Sequence, residues 1–346
     1  MKTIIYSLSC LILFFSPLAA DTNNSALSVL VIGGGPAGLA SSIEARLSGA
    51  EVVVVEKRPA YIRNPSIFLL EEAIALLEQW KVSIPEMNAL GDYGERIGFV
   101  QINALETGLQ KRAHELGVRT ILGEFCKTEG NSQANIITPN NEILQLSYDL
   151  LVAADGTHSK VRECTEIPLK FFGTSKGIIA LMETERYDVS IPDGIRVDDT
   201  YLRKIAIPNA SLIFMQRLAN TPNANLTIPI DDLIHAIAHC GWLEEAKQVQ
   251  DGNSDLLEDI TSSFQQAERF VDVDKNIILL GDSAATASFY TGIGANTALK
   301  SAAISGFLFR DLISGNPAAY QEYNERIDNA TNFMIDENRF LFTEDR

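Results

Sequence analysis

The chain has 346 residues, 46% of them apolar, enough to bury a sizeable core in one large or two moderate domains. Its 45 acidic residues outweigh 28 lysines and arginines, for a formal charge of −17. With no basic run anywhere, that balance argues against a general nucleic-acid or anionic-membrane surface, because phosphate binding needs clustered lysine and arginine.

The first element is residues 1–20. Lys2 is followed by an apolar stretch from Thr3 to Ala20, interrupted by Pro17 and closed by Ala19-Ala20 before Asp21. A charged start, an apolar centre and small residues at the end are the grammar of a secretory signal peptide. The expected mature chain begins near Asp21 and is secreted or periplasmic, without stable membrane insertion after cleavage. An uncleaved anchor is the alternative, although the stretch is short for a span and contains a proline. Cleavage leaves Cys126, Cys164 and Cys240, an odd number at wide spacings, which is no disulfide framework. These three are expected to be core thiols.

Ser28 to Ile32 reads as a buried strand that stops in Gly33-Gly34-Gly35-Pro36-Ala37-Gly38 and feeds a helix. Gly33, Gly35 and Gly38 have the G-x-G-x-x-G spacing: the first allows a tight turn, the second lets a pyrophosphate approach the backbone, and the third packs helix on strand. The bare N–H groups and positive dipole end of that helix then face a phosphate. A second strand, Glu51 to Val55, closes in Glu56, about 20 residues beyond the glycines, where an acidic side chain can accept both hydrogen bonds of a ribose diol. The expectation is a site for a dinucleotide containing adenosine.

Lys57-Arg58 and Arg63-Asn64 lie in the loop that follows, and the two arginines can neutralise a pyrophosphate or bind a polyol chain. Helices are expected from Leu69 to Trp80 and from Gln101 to Leu116, with strands at Arg119 to Leu122, Ile143 to Leu146 and Leu150 to Ala153. The last leads into Asp155-Gly156. Between about Glu166 and Ala267 the pattern changes. Gly177 to Thr184, Ile195 to Val197, Lys204 to Ile207 and Ser211 to Gln216 read as strands, and Asp231 to Ala238 and Trp242 to Val249 as helices. His235 and His239 lie four apart on one of these helices but have no third ligand in the sequence pattern, so no metal is expected. The strand Ile277 to Leu280 then precedes Asp282, and Gly292-Ile293-Gly294-Ala295-Asn296 opens a helix to about Arg310. Phe289 and Tyr290 are candidates for a pocket wall, and Pro317 to Phe342 carries a closing helical pattern.

The three separated motifs, the glycine turn with Glu56-Lys57-Arg58, Ala154-Asp155-Gly156-Thr157-His158-Ser159-Lys160-Val161-Arg162, and Leu280-Gly281-Asp282-Ser283-Ala284, together resemble the single-component FAD-dependent aromatic hydroxylases. Glu56-Lys57-Arg58 with Arg63-Asn64, and the helix from Gln101 to Gly117, look in addition like the monooxygenase domain of the MICAL proteins, over roughly the first 130 residues. The fold class implied is α/β: a Rossmann-like FAD-binding domain of the glutathione-reductase type, built from residues 26–165 and 268–346, with an inserted smaller α+β substrate domain at 166–267.

What the resemblance implies for the site follows residue by residue. Gly33, Gly35, Pro36, Ala37, Gly38, Glu56, Lys57, Arg58, Arg63 and Asn64 would hold the adenosine and diphosphate end. Phe125 falls where a MICAL aromatic contacts FAD. Asp155-Gly156 would lie near the pyrophosphate, a turn associated with NADH or NADPH use, and His158 is a candidate contact for that nucleotide's phosphate. Asp282 would bind the ribityl chain, and Gly294, Ala295 and Asn296 would face the flavin's pyrimidine edge. Asn103, Ala285 and Phe289 depart from the family pattern, which has an arginine, a histidine and a nearby proline in those neighbourhoods.

The implied activity is an FAD-dependent monooxygenase: NADH or NADPH reduces the flavin, and a C4a-hydroperoxide oxygenates a small molecule or an exposed side chain. A flavin-dependent reductase or oxidase of the same fold, and a secreted FAD-binding effector without turnover, are the alternatives. No catalytic base is assigned.

Overall fold

A computed structural model describes residues 26–63, 65–85, 87–90, 96–184, 194–197, 200–207, 210–219, 226–289 and 292–339. The expected signal peptide, Asn64 and Tyr290 lie outside them. The N-terminal part runs β1 (Ser28–Ile32), α1 (Pro36–Leu47), β2 (Glu51–Glu56), β3 (Ser66–Leu69), α2 (Glu71–Gln79), β4 (Asn88–Leu90), β5 (Ile97–Gln101) and α3 (Ile102–Glu115). It continues through β6 (Arg119–Leu122), β7 (Glu124–Glu129), β8 (Gln133–Ile137), β9 (Ile143–Ser147), β10 (Leu150–Ala153) and α4 (Lys160–Thr165). The middle holds β11 (Leu169–Glu183), β12 (Ile195–Val197), β13 (Thr200–Ile207), β14 (Ala210–Ala219), α5 (Ile230–His239), α6 (Leu243–Gln250) and β15 (Asp255–Ala267). The chain closes with β16 (Val271–Asp272), β17 (Ile277–Leu279), β18 (Ala285–Thr286), α7 (Ile293–Ser314) and α8 (Ala319–Arg339).

Val29 to Ile32 are all buried because β1 is central: it pairs in parallel with β2 on one side and β10 on the other. A strand covered on both faces reads as a continuous apolar run rather than an alternation. Each such side chain contributes about 1.5–3 kcal/mol on burial. The sheet order is β16-β17-β10-β1-β2-β6, parallel except for β16. Helices α1, α3 and α7 pack together on one face, and the three-stranded meander β7-β8-β9 closes the other through Phe125, Ala134 and Ile136. The parallel strands of this sheet therefore all end at the same edge, and the loops after β1, β2, β10 and β17 gather there.

The second sheet, β12-β13-β14-β11-β15-β18, is antiparallel. Alternation along its strands gives it two apolar faces. Ile178, Ala180, Met182, Leu202, Ile213 and Met215 meet α5 and α6, whereas Ile179, Ile205, Leu212 and Phe214 face Phe68, Phe99 and Phe289 on the side of the parallel sheet. On the helix-covered face the buried pair Lys204–Glu245 sits beside the Trp242 ring, 5.5 Å from the lysine nitrogen. The last strand, β18, comes from the segment after Asp282, so the two sheets are tied by the chain that carries that motif.

Two features depart from the sequence reading. The first is a set of strands where none is expected, β3, β4, β5, β7, β8, β15, β16 and β18; in the hairpin β7–β8 and the 13-residue β15 polar residues mask the period-2 pattern. The cysteines also differ from the expected core thiols: Cys126 is exposed, and Cys164 and Cys240 are half-buried. Phe125 points into the core from β7, and Cys126 is the extra, unpaired residue where the β7–β8 register shifts between Phe125 and Lys127, left on the outside.

Candidate flavin site

A cavity of about 960 Å³ lies between the C-terminal edge of the parallel sheet and the second sheet. Its floor is the β1–α1 turn. Gly33 has φ +105°, and a Cβ there would stand 2.2 Å from Ala154 O at the end of β10. Gly38 is not on the cavity wall. A Cβ on it would meet Gly33 O at 1.9 Å, so its place is the packing of α1 against the turn. Gly35, Pro36 and Ala37 do line the cavity, and a Cβ on Gly35 would meet nothing nearer than Arg58 Nη2 at 4.0 Å. Pro36 occupies the first helical position, where its missing N–H is not needed, and no side chain caps α1. The remaining orphan N–H groups are open to an anion.

Glu56, Lys57, Arg58 and Arg63 reach the cavity from the end of β2 and the loop after it. The Glu56 carboxylate is already engaged by protein. Oε2 accepts from Gly34 N at 2.7 Å and Arg58 Nη2 at 3.1 Å, and Oε1 accepts from Arg58 N at 2.8 Å and Arg58 Nε at 2.9 Å. Burial alone would raise its pKa, but these donors outweigh that and hold it below the usual carboxylate value. Arg58 also lies over the Tyr61 ring, 5.1 Å from its centroid, and both arginines bond Glu106.

Asp155 and Gly156 line the same cavity after β10. Asp155 Oδ1 accepts from Ser159 Oγ at 2.5 Å and Oδ2 from Val161 N at 3.2 Å, so the carboxylate organises its own loop at the start of α4. Burial raises its pKa, and these bonds only partly offset that. Arg162 joins this loop to the third motif: Nη1 donates to Ser283 O at 2.8 Å and Nη2 to Thr157 O at 2.9 Å. Ser283 Oγ in turn donates to Ala153 O at 2.6 Å.

Asp282 lines the cavity, with its side chain exposed there and protein packed closely around it. Its carboxylate has no hydrogen-bond partner among the described residues. Burial raises its pKa, with Arg63 acting weakly the other way. Across the cavity the uncapped N-terminus of α7 brings Gly292, Gly294 and Ala295 to the wall. Asn296 is placed otherwise. Its Oδ1 accepts from Leu70 N at 2.8 Å, and its Nδ2 donates to Phe68 O at 2.9 Å and to Gly292 O at 3.1 Å, so its amide clamps α7 to the β3–α2 junction. Phe125, His158 and Phe289 lie on the wall; Asn103 does not. The second sheet supplies the opposite side with Thr174, Ile179, Arg203, Ile205, Phe214 and Leu257.

Of the expected cofactor residues within the described part, all but Gly38 and Asn296 converge on this one cavity. The sequence reading missed Glu106 and gave Arg162 no separate role. The signal for Arg162 was present, since an arginine one helical turn beyond Ser159 in a buried motif needs carbonyl partners. Glu106 left none: it sits in an ordinary amphipathic helix.

A family model described as an FAD binding domain matches residues 28–63. The F-actin monooxygenase mical2b of Danio rerio is 32% identical over 148 residues, and the F-actin monooxygenase Mical of Drosophila melanogaster 34% identical over 142. These stretches are 38% and 37% of this chain but 8% and 3% of the relatives, so the chain spans under a tenth of their length. Among solved structures, CabE, an aromatic hydroxylase from angucycline biosynthesis, superposes with a TM-score of 0.69 at 18% identity, covering 92% of this chain and 69% of that one.

The fold is that of the FAD-dependent aromatic hydroxylases. 2-Methyl-3-hydroxypyridine-5-carboxylic acid oxygenase matches it nearly end to end, with a TM-score of 0.67, 20% identity and coverage of 92% and 93% of the two chains. The Diels-Alderase PyrE3 also shares it, with a TM-score of 0.71, 20% identity and coverage of 91% and 72%. The site suits FAD on its own geometry: an open helix N-terminus behind Gly35, a second at α7, and an unpartnered carboxylate at Asp282 aimed into the space between them.

Proposed function

We propose that the chain is an FAD-dependent monooxygenase that draws electrons from NADH or NADPH and oxygenates a small molecule or an exposed side chain. The observation that carries this reading is the convergence of three motifs far apart in sequence, at Gly35, Asp155 and Asp282, on one cavity.

The N-terminus of α1, with Arg58 and Arg63, would hold the diphosphate. Glu56 would face the ribose; because all its acceptor positions are taken, Arg58 has to yield at least one of its bonds to admit a diol. Asp282 would accept from the ribityl hydroxyls, and the α7 N-terminus would stabilise negative charge at the ring edge. When bound, FAD supplies hydride acceptance from the nicotinamide and activation of O2. Ile179, Ile205, Phe214, Leu257 and Phe289 would exclude water above it, and selectivity for the substrate would lie on that wall of the second sheet, in the 166–267 segment. Export with removal of residues 1–20 is part of the proposal; the mature N-terminal residue tests it.

The test is the absorption spectrum of the purified protein, followed by anaerobic addition of NADPH or NADH and then air. Flavin bands that bleach and return are expected. Protein that stays colourless with excess FAD overturns the proposal. The shared fold of a Diels-Alderase supports a second reading, a flavin-binding fold without oxygenation; bands that neither nucleotide bleaches would select it.

A further inference from the structure

Glu106 stands in the second turn of α3 between Leu105 and Leu109, with its side chain fully buried. Packing that helix against α1 calls for no charge there, and a carboxylate withdrawn from water is costly unless it is paired. Its Oε1 accepts from Arg58 Nη1 at 3.1 Å and from Arg63 Nη2 at 2.5 Å, while Oε2 has no partner. The arginines lie 48 and 43 residues away in sequence, in a stretch after β2 that has no regular structure. Both line the cavity, and Glu106 does not.

Two guanidinium groups brought this close repel each other unless an anion lies between them. One oxygen of Glu106 is that anion, and it fixes an otherwise irregular loop to a rigid helix. Each guanidinium is a planar fork with five donors, so bonding Glu106 leaves N–H groups on both for a ligand on the cavity side. Arg58 is held twice, by Glu56 from its own strand end and by Glu106 from across the loop.

We propose that Glu106 is a positioning residue that sets Arg58 and Arg63 for the diphosphate of FAD, acting through the arginines and touching no part of the ligand. This rests on the flavin-binding reading above. The test is fluorescence titration of the flavin-free protein with FAD and, separately, with riboflavin, which lacks the diphosphate. Glu106→Ala is expected to weaken FAD about tenfold, the scale of a lost charged hydrogen bond, and to leave riboflavin within about twofold. Glu106→Gln keeps one acceptor oxygen and should stay within about threefold for FAD.

A Glu106→Ala protein that binds FAD as tightly as the parent, or that loses riboflavin in step with FAD, overturns the inference. Should the alanine variant fail to fold, Glu106→Asp decides: one methylene shorter, it cannot reach both guanidiniums, and it should lose FAD but not riboflavin. A parent protein that binds neither flavin overturns the underlying reading, an outcome distinct from a parent that binds FAD and a variant that does so equally well.

Discussion

Gly35 and Gly38 stand three residues apart in one motif, and a methyl group on each should do different damage. At Gly38 the added Cβ would lie 1.9 Å from Gly33 O and 3.1 Å from Ala154 Cβ. The first of these is a backbone atom in a turn already fixed at φ +105°, so it cannot swing aside, and α1 must lift from β1. Overpacking of this kind costs about 1–3 kcal/mol, while replacing glycine by alanine within a helix returns about 1 kcal/mol. With the contact at the severe end, Gly38→Ala should destabilise by about 2 kcal/mol. At Gly35 the nearest atom is 4.0 Å away and φ is −76°, a conformation open to any residue. Gly35→Ala should therefore be as stable as the parent, or more stable by about 0.4–1 kcal/mol through the unfolded chain. Its methyl group would nevertheless stand where the diphosphate is proposed to lie, and FAD affinity should fall at least about tenfold, or ~1.4 kcal/mol. Thermal unfolding of the flavin-free proteins and FAD titration separate the two effects. The reasoning is refuted if Gly35→Ala binds FAD like the parent, or if Gly38→Ala melts higher than the parent.

Asp282 offers an opposed pair of effects. A carboxyl whose folded pKa is raised detracts from stability where it is ionised, and that cost is relieved as pH falls toward its unfolded value near 4. Asp282→Asn should thus raise the melting temperature of the flavin-free protein at neutral pH while weakening FAD, and FAD affinity of the parent should rise with pH through the Asp282 pKa; a variant that leaves both unchanged refutes this. Lys204→Met strands the buried Glu245 carboxylate and should cost about 3 kcal/mol in denaturant titration, most of it recovered in the double variant with Glu245→Leu. A neutral single variant would refute the buried pair. Cys126, exposed on β7, should react with a thiol reagent ahead of the half-buried Cys164 and Cys240, whose order peptide mass spectrometry reads out; burial raises the Cys240 thiol further. A Cys126 labelled last would contradict its placement.

The parts of the fold legible in the sequence are those where one local rule dominates. β1 and β2 are buried on both faces, so Val29 to Ile32 and Val52 to Val55 show as apolar runs, and the turn between β1 and α1 needs glycine for reasons of space that leave a fixed spacing. β15 was illegible because Ser262 and Ser263 serve the cavity wall, Gln265 Nε2 donates to Thr157 O in the loop after β10, and Gln266 Nε2 donates to Thr331 Oγ1 and Asn332 Oδ1 on α8. Polar residues there are functional or buried in pairs, and the alternation that marks a strand is lost. Asn296 followed the same logic in reverse. Its place in a glycine-rich helix start suggested the cofactor, but an amide whose partners are the carbonyl of Phe68 and the N–H of Leu70 depends on tertiary neighbours that no local pattern encodes.

The charge of the chain sets a final condition on the site. A molecule of net −17 that holds an anionic diphosphate needs a local positive field that its total charge does not cancel. At physiological ionic strength exposed charges more than about 8 Å away are largely screened, so the distant acidic surface weighs little and the nearest groups decide. Those groups are of two kinds. The uncapped N-termini of α1 and α7 each present roughly half a positive charge in fixed orientation, with no counter-ion of their own. Arg58 and Arg63, by contrast, are largely neutralised by Glu56 and Glu106, and what they add is direction rather than net charge. Anion binding by this chain therefore depends on backbone dipoles for its field and on arginines held by carboxylates for its geometry. That division accounts for a cavity whose walls hold nearly balanced charges and yet open toward Gly35.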